Sequence, residues 1–132
     1  MKTDDYFDDL AVFGLGFFHP GGIARTRRFV EASSWIDSSI LNVGCGLGTS
    51  SKFLQQSGAH VVGIDSSLFM LEGAAQSGIK RTQLIHGRVE DIGFCASSFD
   101  GILVEGVLGF VTNPAAVVSR LWSFLKPGGL MG

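Results

Sequence analysis

The residues best suited to chemistry form a glycine-rich turn at positions 44–48, Gly-Cys-Gly-Leu-Gly, which is followed by Asp65. Glycine lets a backbone turn sharply and lets a ligand approach without a Cβ in the way. Backbone amides at the start of a helix after such a turn point toward the ligand. An acidic residue seventeen positions after Gly48, at the end of the next strand, is placed to accept hydrogen bonds from ribose hydroxyls. The pattern therefore predicts a nucleotide-type cofactor site.

The spacing of the glycines also separates two classes of cofactor. A dinucleotide site carries G-x-G-x-x-G. Here the third glycine, Gly48, comes one position early, and Thr49 stands where that pattern has its last glycine. Glycine-rich turns also connect strands to helices that bind no ligand, so the turn by itself leaves a structural role open. Asp65 favours the nucleotide-type ligand over that structural role, and the glycine spacing disfavours a nicotinamide cofactor.

These residues must be positioned by strands and helices that alternate along the chain. Short apolar runs bounded by turn residues predict buried strands, and apolar residues at helical spacing predict helices. The predicted strands span residues 39–43, 60–64, 83–86 and 99–104. The predicted helices span residues 23–34, 49–57 and 67–76, and a fourth begins at Asn113-Pro114. The alternation predicts an α/β fold with a parallel sheet.

The C-terminal part of the sequence continues this pattern. The fourth helix is expected to bury Val117, Val118, Leu121 and Leu125 along one face. The Lys-Pro-Gly-Gly sequence at 126–129 predicts a tight turn after that helix. Residues 130–132 then resemble the first step of a fifth strand. We therefore expect a sheet truncated at its fifth strand, or one piece of a larger protein.

The composition excludes several classes of protein. The chain has 132 residues, of which 45% are hydrophobic and 17% are charged, so intrinsic disorder is excluded. A net charge of −2 gives no reason to expect binding to nucleic acid or to a membrane. Two cysteines without C-x-x-C spacing predict neither a metal site nor a disulfide framework, which fits a reducing cytoplasm. The apolar stretch at 10–18 is far shorter than the roughly 20 residues of a membrane-spanning helix.

Four segments of the sequence resemble, in order, the motifs of class I S-adenosylmethionine-dependent methyltransferases. The first is the strand and turn at 40–48, and the second is Val62-Gly63-Ile64-Asp65-Ser66-Ser67. The third is residues 86–94 with Ser98-Phe99-Asp100, and the fourth is Leu125-Lys126-Pro127-Gly128-Gly129. The resemblance implies a Rossmann-like, doubly wound and mostly parallel α/β sheet with strand order 3-2-1-4-5.

The resemblance also implies the cofactor, S-adenosyl-L-methionine, and the residues that would bind it. The glycines would lie against its methionine part, and Asp65 would hold the ribose hydroxyls. Ser66 and Val89, with Arg88 beside it, would lie near the adenine. Glu105 would face the transferred methyl group and the substrate, as the candidate catalytic residue; no metal ligands are expected. The implied cofactor-binding residues are Gly44, Cys45, Gly46, Gly48, Asp65, Ser66, Arg88, Val89 and Glu105.

Two positions depart from the family pattern. Asn42 stands where the family commonly has aspartate, which keeps a hydrogen-bond acceptor but loses a charge near the cationic cofactor. Arg88 stands where an acidic residue often contacts the adenine amino group. The family sheet also normally continues to a sixth and a seventh strand, which have no counterpart in these 132 residues.

The N-terminal part, residues 1–35, is expected to be a helical or lid segment, and residues 36–132 the cofactor-binding domain. The aromatic residues of the N-terminal part are candidates for a lid over the substrate or for packing against the sheet. They are Tyr6, Phe7, Phe13, Phe17 and Phe18. Arg25, Arg27 and Arg28 are expected to form a solvated helix face, with binding of an anionic substrate as the alternative.

The function implied by the resemblance is transfer of a methyl group to a small-molecule acceptor in the cytoplasm, without a nucleic-acid or membrane partner. One alternative is a cofactor-binding domain without catalysis, or a fragment whose substrate half lies elsewhere. A second alternative, an NAD-dependent dehydrogenase, is disfavoured by the glycine spacing. Because an incomplete sheet exposes an edge strand, self-association of the chain is also expected.

Overall fold

The computed structural model describes residues 22–132, in which the helices and strands follow the order that the sequence predicts. The strands of this part are β1 (Ser39–Val43), β2 (His60–Asp65), β3 (Leu84–His86), β4 (Phe99–Val104) and β5 (Leu125–Met131). Its helices are α1 (Gly22–Glu31), α2 (Thr49–Gln56), α3 (Leu68–Gln76) and α4 (Pro114–Phe124), with 3₁₀ turns at Arg81–Gln83 and Leu108–Phe110. Most of the predicted lid segment, with its five aromatic candidates, lies outside the described residues.

The strands form a single parallel sheet in the order β3-β2-β1-β4-β5, which confirms the predicted fold class. Strand β1 is central, so that Ile40 lies opposite Val61 of β2 and Gly101 of β4. The chain moves outward from β1 to β3 and then crosses back to place β4 on the other side of β1. The carboxyl ends of β1 and β4 are therefore the topological switch point, where open α/β sheets bind ligands.

Apolar cores cover both faces of the sheet, because successive side chains of a strand point to opposite faces. Leu41 and Ile102 belong to the core that includes the buried face of α4. Their chain neighbours Ile40 and Leu103 belong to the core that includes Phe29 of α1. Burial on both faces explains why apolar residues predominate in β1 and β4.

Helix α1 is held against the sheet by an aromatic pair. The rings of Phe29 and Trp35 stack with their centroids 4.9 Å apart, and Trp35 Nε1 donates to the Phe29 carbonyl over 3.1 Å. Gly101 of β4 leaves room for this pair, because a Cβ there would lie 2.7 Å from the Trp35 ring. Burial of the two rings therefore determines where α1 lies relative to β4.

The buried face of α4 differs from the prediction at one position. Val117, Leu121 and Phe124 are buried, whereas Val118 is exposed. Val118 lies about 100° around the helix from Val117, and this rotation turns it away from the sheet. The helix begins as predicted, with the Asn113 side chain as its N-terminal cap.

The chain leaves the sheet at residues 126–129, where a tight turn is predicted, but this excursion lies inside β5 and not between α4 and the fifth strand. Leu125, predicted to belong to the helix, is the first residue of β5 and pairs with Phe99 of β4. Leu130 pairs with Gly101, so residues 126–129 form an irregular excursion inside β5 instead of a turn before it. The strand therefore begins at Leu125, before the excursion, because pairing with β4 starts at that residue.

Candidate active site

The glycine-rich turn connects the end of β1 to the start of α2, at the switch point of the sheet. Gly44, Gly46 and Gly48 have φ angles of +75°, +52° and +80°, in the backbone region that favours glycine. The N–H groups of Gly44 and Cys45 both donate to the Ile64 carbonyl, over 2.8 and 3.0 Å. The turn is therefore held against the end of β2, beside Asp65.

Protein atoms require glycine at two positions of the turn. A Cβ on Gly44 would lie 2.5 Å from the Glu105 carbonyl oxygen and would collide with the Val107 side chain. A Cβ on Gly48 would collide with the Ile79 side chain. The sequence predicts glycines that admit a ligand; the structure adds that these two glycines let the turn pack closely on neighbouring segments of the protein.

Asp65 joins the glycine-rich turn to the start of α3. Its Oδ2 accepts from the N–H of Gly46 over 2.8 Å, and its Oδ1 accepts from the N–H of Ser67 over 2.9 Å. Ser67 caps α3, since its Oγ accepts from the N–H of Met70 over 3.1 Å. The carboxylate therefore lies between two segments that follow neighbouring strands, at the position from which an acidic residue binds ribose in such sheets.

The residues predicted to lie near an adenine follow β2 and β3. The Ser66 carbonyl accepts from His86 Nε2 over 3.0 Å, which connects the ends of the two strands. Arg88 is exposed and forms an ion pair with Glu90 at 3.6 Å. The Val89 side chain is buried in the core beside α4, so a contact between Val89 and an adenine would have to use the backbone amide.

Glu105 directly follows β4 and contacts both sides of the switch point. Its N–H donates to the Val43 carbonyl at the end of β1 over 3.0 Å, and its own carbonyl lies against Gly44. Its half-buried side chain accepts from the Thr26 hydroxyl over 3.0 Å. The residue is therefore held between the glycine-rich turn and α1.

A chain of hydroxyl groups orients the Glu105 carboxylate. Thr26 donates its only hydroxyl proton to Glu105, so it must accept from Ser50, whose Oγ lies 3.2 Å from Thr26 Oγ1. Thr26 and Ser50 are 0% and 3% exposed. The order Ser50 to Thr26 to Glu105 connects the first turn of α2 to the carboxylate. Sequence reasoning missed Thr26 because its contact with Glu105 spans 79 positions and no local pattern marks it.

Asn42 lies in β1, just before the glycine-rich turn, and is fully buried. Its Nδ2 donates to Ser51 Oγ over 2.9 Å, whereas its Oδ1 has no hydrogen-bond partner within residues 22–132. A buried acceptor left unpaired costs about 1–3 kcal/mol. An unpaired buried carboxylate would cost more, so asparagine suits this environment better than the aspartate of the family pattern.

The electrostatic environment of the turn is negative. Burial raises the pKa of the Cys45 thiol above its usual range, and the charges of Asp65 and Glu105 raise this pKa further. Cys45 is therefore a protonated thiol and not a nucleophile. Its sulfur packs against Gly63, where a Cβ would lie 2.7 Å away. Because two carboxylates act on the same point of the turn, a cationic ligand is favoured there.

A cavity of about 400 Å³ lies between α1 and the carboxyl ends of β4 and β5. Its volume is in the range of small-molecule sites. Glu105 lines this cavity and also contacts the glycine-rich turn through its backbone. The remaining lining comes from α1, through Arg25, Thr26, Arg28 and Phe29, and from residues 32, 103, 104, 106 and 130–132. The turn and the cavity therefore meet at Glu105.

Three further features bear on the class of site. Within residues 22–132 no helix is long and apolar enough to cross a bilayer. The same residues contain no group of three or more His, Cys, Asp or Glu side chains that could hold a metal ion. Cys45 and Cys95 are both free thiols, the first buried and the second exposed.

A doubly wound sheet with a glycine-rich turn after β1 and an acidic residue ending β2 defines a Rossmann-like domain with a nucleotide-type ligand site. Residues 41–131 match the family model described as a methyltransferase domain. The chain belongs to this family, the class I S-adenosylmethionine-dependent methyltransferases. The cofactor of the family is S-adenosylmethionine.

Two curated relatives show how much of a whole protein the chain spans. It is 32% identical over 123 residues to phosphoethanolamine N-methyltransferase of Triticum aestivum, covering 89% of this chain and 24% of the relative. It is 39% identical over 109 residues to demethylmenaquinone methyltransferase of Clavibacter sepedonicus, covering 81% of this chain and 43% of the relative. The chain therefore spans less than half the length of these two relatives.

A solved structure shares the fold. It is Haemonchus contortus phosphoethanolamine N-methyltransferase 2, in complex with phosphomonomethylethanolamine and S-adenosylhomocysteine. The TM-score is 0.78, with 23% sequence identity, and the match covers 98% of this chain and 32% of that one. The match therefore supports the fold described for residues 22–132.

Replacement of Gly44 by alanine should destabilise the protein more than the same replacement at Gly128. Both glycines have positive φ, so alanine meets backbone strain of roughly 1–2 kcal/mol at either position. Only Gly44 lacks room, since nothing lies within 4 Å of a Cβ on Gly128. We expect Gly44→Ala to cost about 1–3 kcal/mol more, as overpacking does. Urea denaturation measures the difference, and equal losses would contradict the close packing of the turn.

Replacement of Thr26 by valine keeps the shape of the side chain but removes the hydroxyl between Ser50 and Glu105. We expect a loss of about 1–3 kcal/mol in the free energy of unfolding, measured by urea denaturation. In a double-mutant cycle with Ser50→Ala, the combined loss should be smaller than the sum of the single losses by at least about 0.5 kcal/mol. Strictly additive losses would show that the two hydroxyls do not act as one chain.

Proposed function

We propose that this chain is the cofactor-binding part of a methyltransferase that transfers a methyl group from S-adenosylmethionine to a small-molecule acceptor. The observation that carries the proposal is the double contact of Glu105, which touches the glycine-rich turn and lines the cavity. A methyl donor at the turn and an acceptor in the cavity would meet at this residue. The relatives named for phosphoethanolamine and demethylmenaquinone support a small molecule as the acceptor.

The residues of the turn fit the charge and shape of this cofactor. We infer that Gly44, Gly46 and Gly48 lie against its methionine part, where the negative field of the carboxylates suits a sulfonium. Asp65 would accept hydrogen bonds from the ribose hydroxyls. Cys45 would contribute its backbone, because its sulfur packs against Gly63.

The adenine end of the cofactor would lie at the segments that follow β2 and β3. Ser66 is tied to His86 there, which brings the two segments together. Val89 would offer its backbone amide, since its side chain is part of the core. Arg88 is exposed beside it and would cover the ring with the aliphatic part of its side chain.

Bound at the turn, the cofactor supplies a methyl carbon that its sulfonium already activates, so transfer needs mainly proximity and orientation. The protein's part is then to hold the acceptor in line with that carbon. Glu105, held by Thr26, would orient the nucleophilic atom of the acceptor and take up its proton when the nucleophile must lose one. Leu103 and Met131 add apolar surface to the lining of the cavity in which the acceptor would lie.

We place the protein in the cytoplasm, with neither nucleic acid nor membrane as a partner. The free thiols of Cys45 and Cys95 support a reducing compartment. The net charge of −2 gives no electrostatic attraction to polyanions.

The Asp65→Ala variant should bind S-adenosylhomocysteine at least tenfold more weakly than the wild type, a change of about 1.4 kcal/mol. The reason is loss of the acceptor for the ribose hydroxyls. Isothermal titration calorimetry measures both affinities, and the wild type should bind in the micromolar range. Glu72→Ala is the matched control, because Glu72 is an exposed carboxylate on α3 that pairs with Arg81 at 2.8 Å.

Asp65→Asn separates the charge of this residue from its role in the fold. The amide keeps one acceptor for the N–H groups of Gly46 and Ser67, so an affinity between those of the wild type and Asp65→Ala is expected. Lack of binding by folded wild-type protein would overturn the proposed cofactor site. Binding without transfer of labelled methyl to a broad panel of acceptors would favour a domain without catalysis. Preferential binding of NAD would favour a dehydrogenase.

The chain should self-associate through β5. Among the described strands, β5 pairs only with β4, so its other edge presents unpaired backbone groups. Light scattering over a range of concentrations should show a mass above that of the monomer at the highest ones. A monomer throughout that range would contradict the expectation.

A further inference from the structure

One wall of the cavity carries positive charge that the proposed function leaves unused. Arg25 and Arg28 line the cavity from α1, and Phe29 lines it from the same helix face, since residues three and four apart are neighbours on a helix. Ala32, just after the helix, also lines the cavity. Arg27 is exposed but does not line the cavity. Helical geometry therefore divides the three arginines, predicted to form one solvated face, into two that face the cavity and one that does not.

The described part of the protein does not neutralise these two arginines. None of the ion pairs found within residues 22–132 includes Arg25 or Arg28. Each guanidinium carries five N–H donors in a planar fork. Two residues of the cavity lining therefore carry forks that match the oxygens of a carboxylate or a phosphate.

The other parts of the lining define how a ligand would lie. Phe29, Leu103 and Met131 give the cavity apolar surface. Glu105, at the end of β4, supplies the negative charge of the lining, and its carboxylate is oriented by Thr26. A negative group on a ligand is attracted by the wall on α1 and repelled by the carboxylate of Glu105.

We propose that the cavity selects acceptors that carry an anionic group, a phosphate monoester or a carboxylate, and that Arg25 and Arg28 bind this group. The inference rests on the proposed function, because it takes the cavity as the acceptor site. The opposite charges at the two parts of the lining orient the acceptor. Its anion lies on α1, and its nucleophilic atom lies toward Glu105 and the glycine-rich turn.

The test uses three probes that share a benzene ring and differ in charge: phenyl phosphate, benzoate and phenol. Each is titrated by calorimetry into the full chain in the presence of S-adenosylhomocysteine at low salt. We expect at least one of the two anionic probes to bind at least tenfold more tightly than phenol. The comparison of phenyl phosphate with benzoate shows which anion the wall prefers. Added salt should weaken the anionic probes selectively.

The double variant Arg25→Ala/Arg28→Ala should lose at least tenfold in affinity for the preferred anionic probe and should bind phenol as the wild type does. Arg27→Ala is the matched control, because it removes the same charge from the same helix outside the cavity. All three arginines are exposed, so the variants are expected to fold, which circular dichroism checks. Equal affinity for charged and neutral probes would overturn the proposal. An equal loss of affinity for the anionic probe in Arg27→Ala would also overturn it, because it would show that net charge, and not the two cavity arginines, attracts the probe.

Titration of S-adenosylhomocysteine into the same preparation separates the two possible failures. If S-adenosylhomocysteine binds but the affinity for the anionic probes is the same in the wild type and in Arg25→Ala/Arg28→Ala, only the inference about the acceptor fails. If folded protein does not bind the cofactor product, the proposed function fails, and the assignment of the cavity to an acceptor fails with it.

Discussion

The pairing of β1 with β4 is the constraint on which the rest of the site depends. The two strands run in parallel with Val43 opposite Val104, and Glu105, the residue after β4, donates its N–H back to the Val43 carbonyl. The glycine-rich turn leaves β1 at the level where Glu105 leaves β4, so backbone contacts bring them together. A shift of one residue in this pairing would move every side chain of β4 to the other face of the sheet. The site therefore tolerates one register only.

Helix α1 contributes the remaining side chains of the site. Stacking of Phe29 on Trp35 fixes the helix against β4, and the same helix then supplies Thr26 to the Glu105 carboxylate. Arg25 and Arg28 lie one residue before and two residues after Thr26 on that helix, and both line the cavity. One aromatic contact thus positions both the group that orients the carboxylate and the charged wall of the cavity. The chemistry of the cavity and the packing of the core are for this reason not separable in this protein.

Local patterns predicted the elements well where one physical cause dominates. Strands β1 and β4 are buried on both faces and are rich in apolar residues, and their limits match the prediction at both ends. The sequence predicted the buried face of α4 less well, because Val117 and Val118 are adjacent and equally apolar. Only contact with the sheet determines which of the two is buried. The start of β5 depends on pairing between Leu125 and Phe99, which are far apart in the sequence. A pattern within a few residues cannot report such a pairing.

The sequence by itself determined the order of elements, the glycine-rich turn and the position of Asp65 after β2. These follow from steric preferences and apolar spacing that act over a few residues. The tertiary structure alone decided that Thr26 and Ser50 orient Glu105, that Asn42 Oδ1 has no hydrogen-bond partner within residues 22–132, and that two of the three arginines line the cavity. Each of these depends on hydrogen bonds or packing between elements that lie distant along the chain. Such contacts exist only after the sheet and α1 have assembled, and therefore no local spacing encodes them.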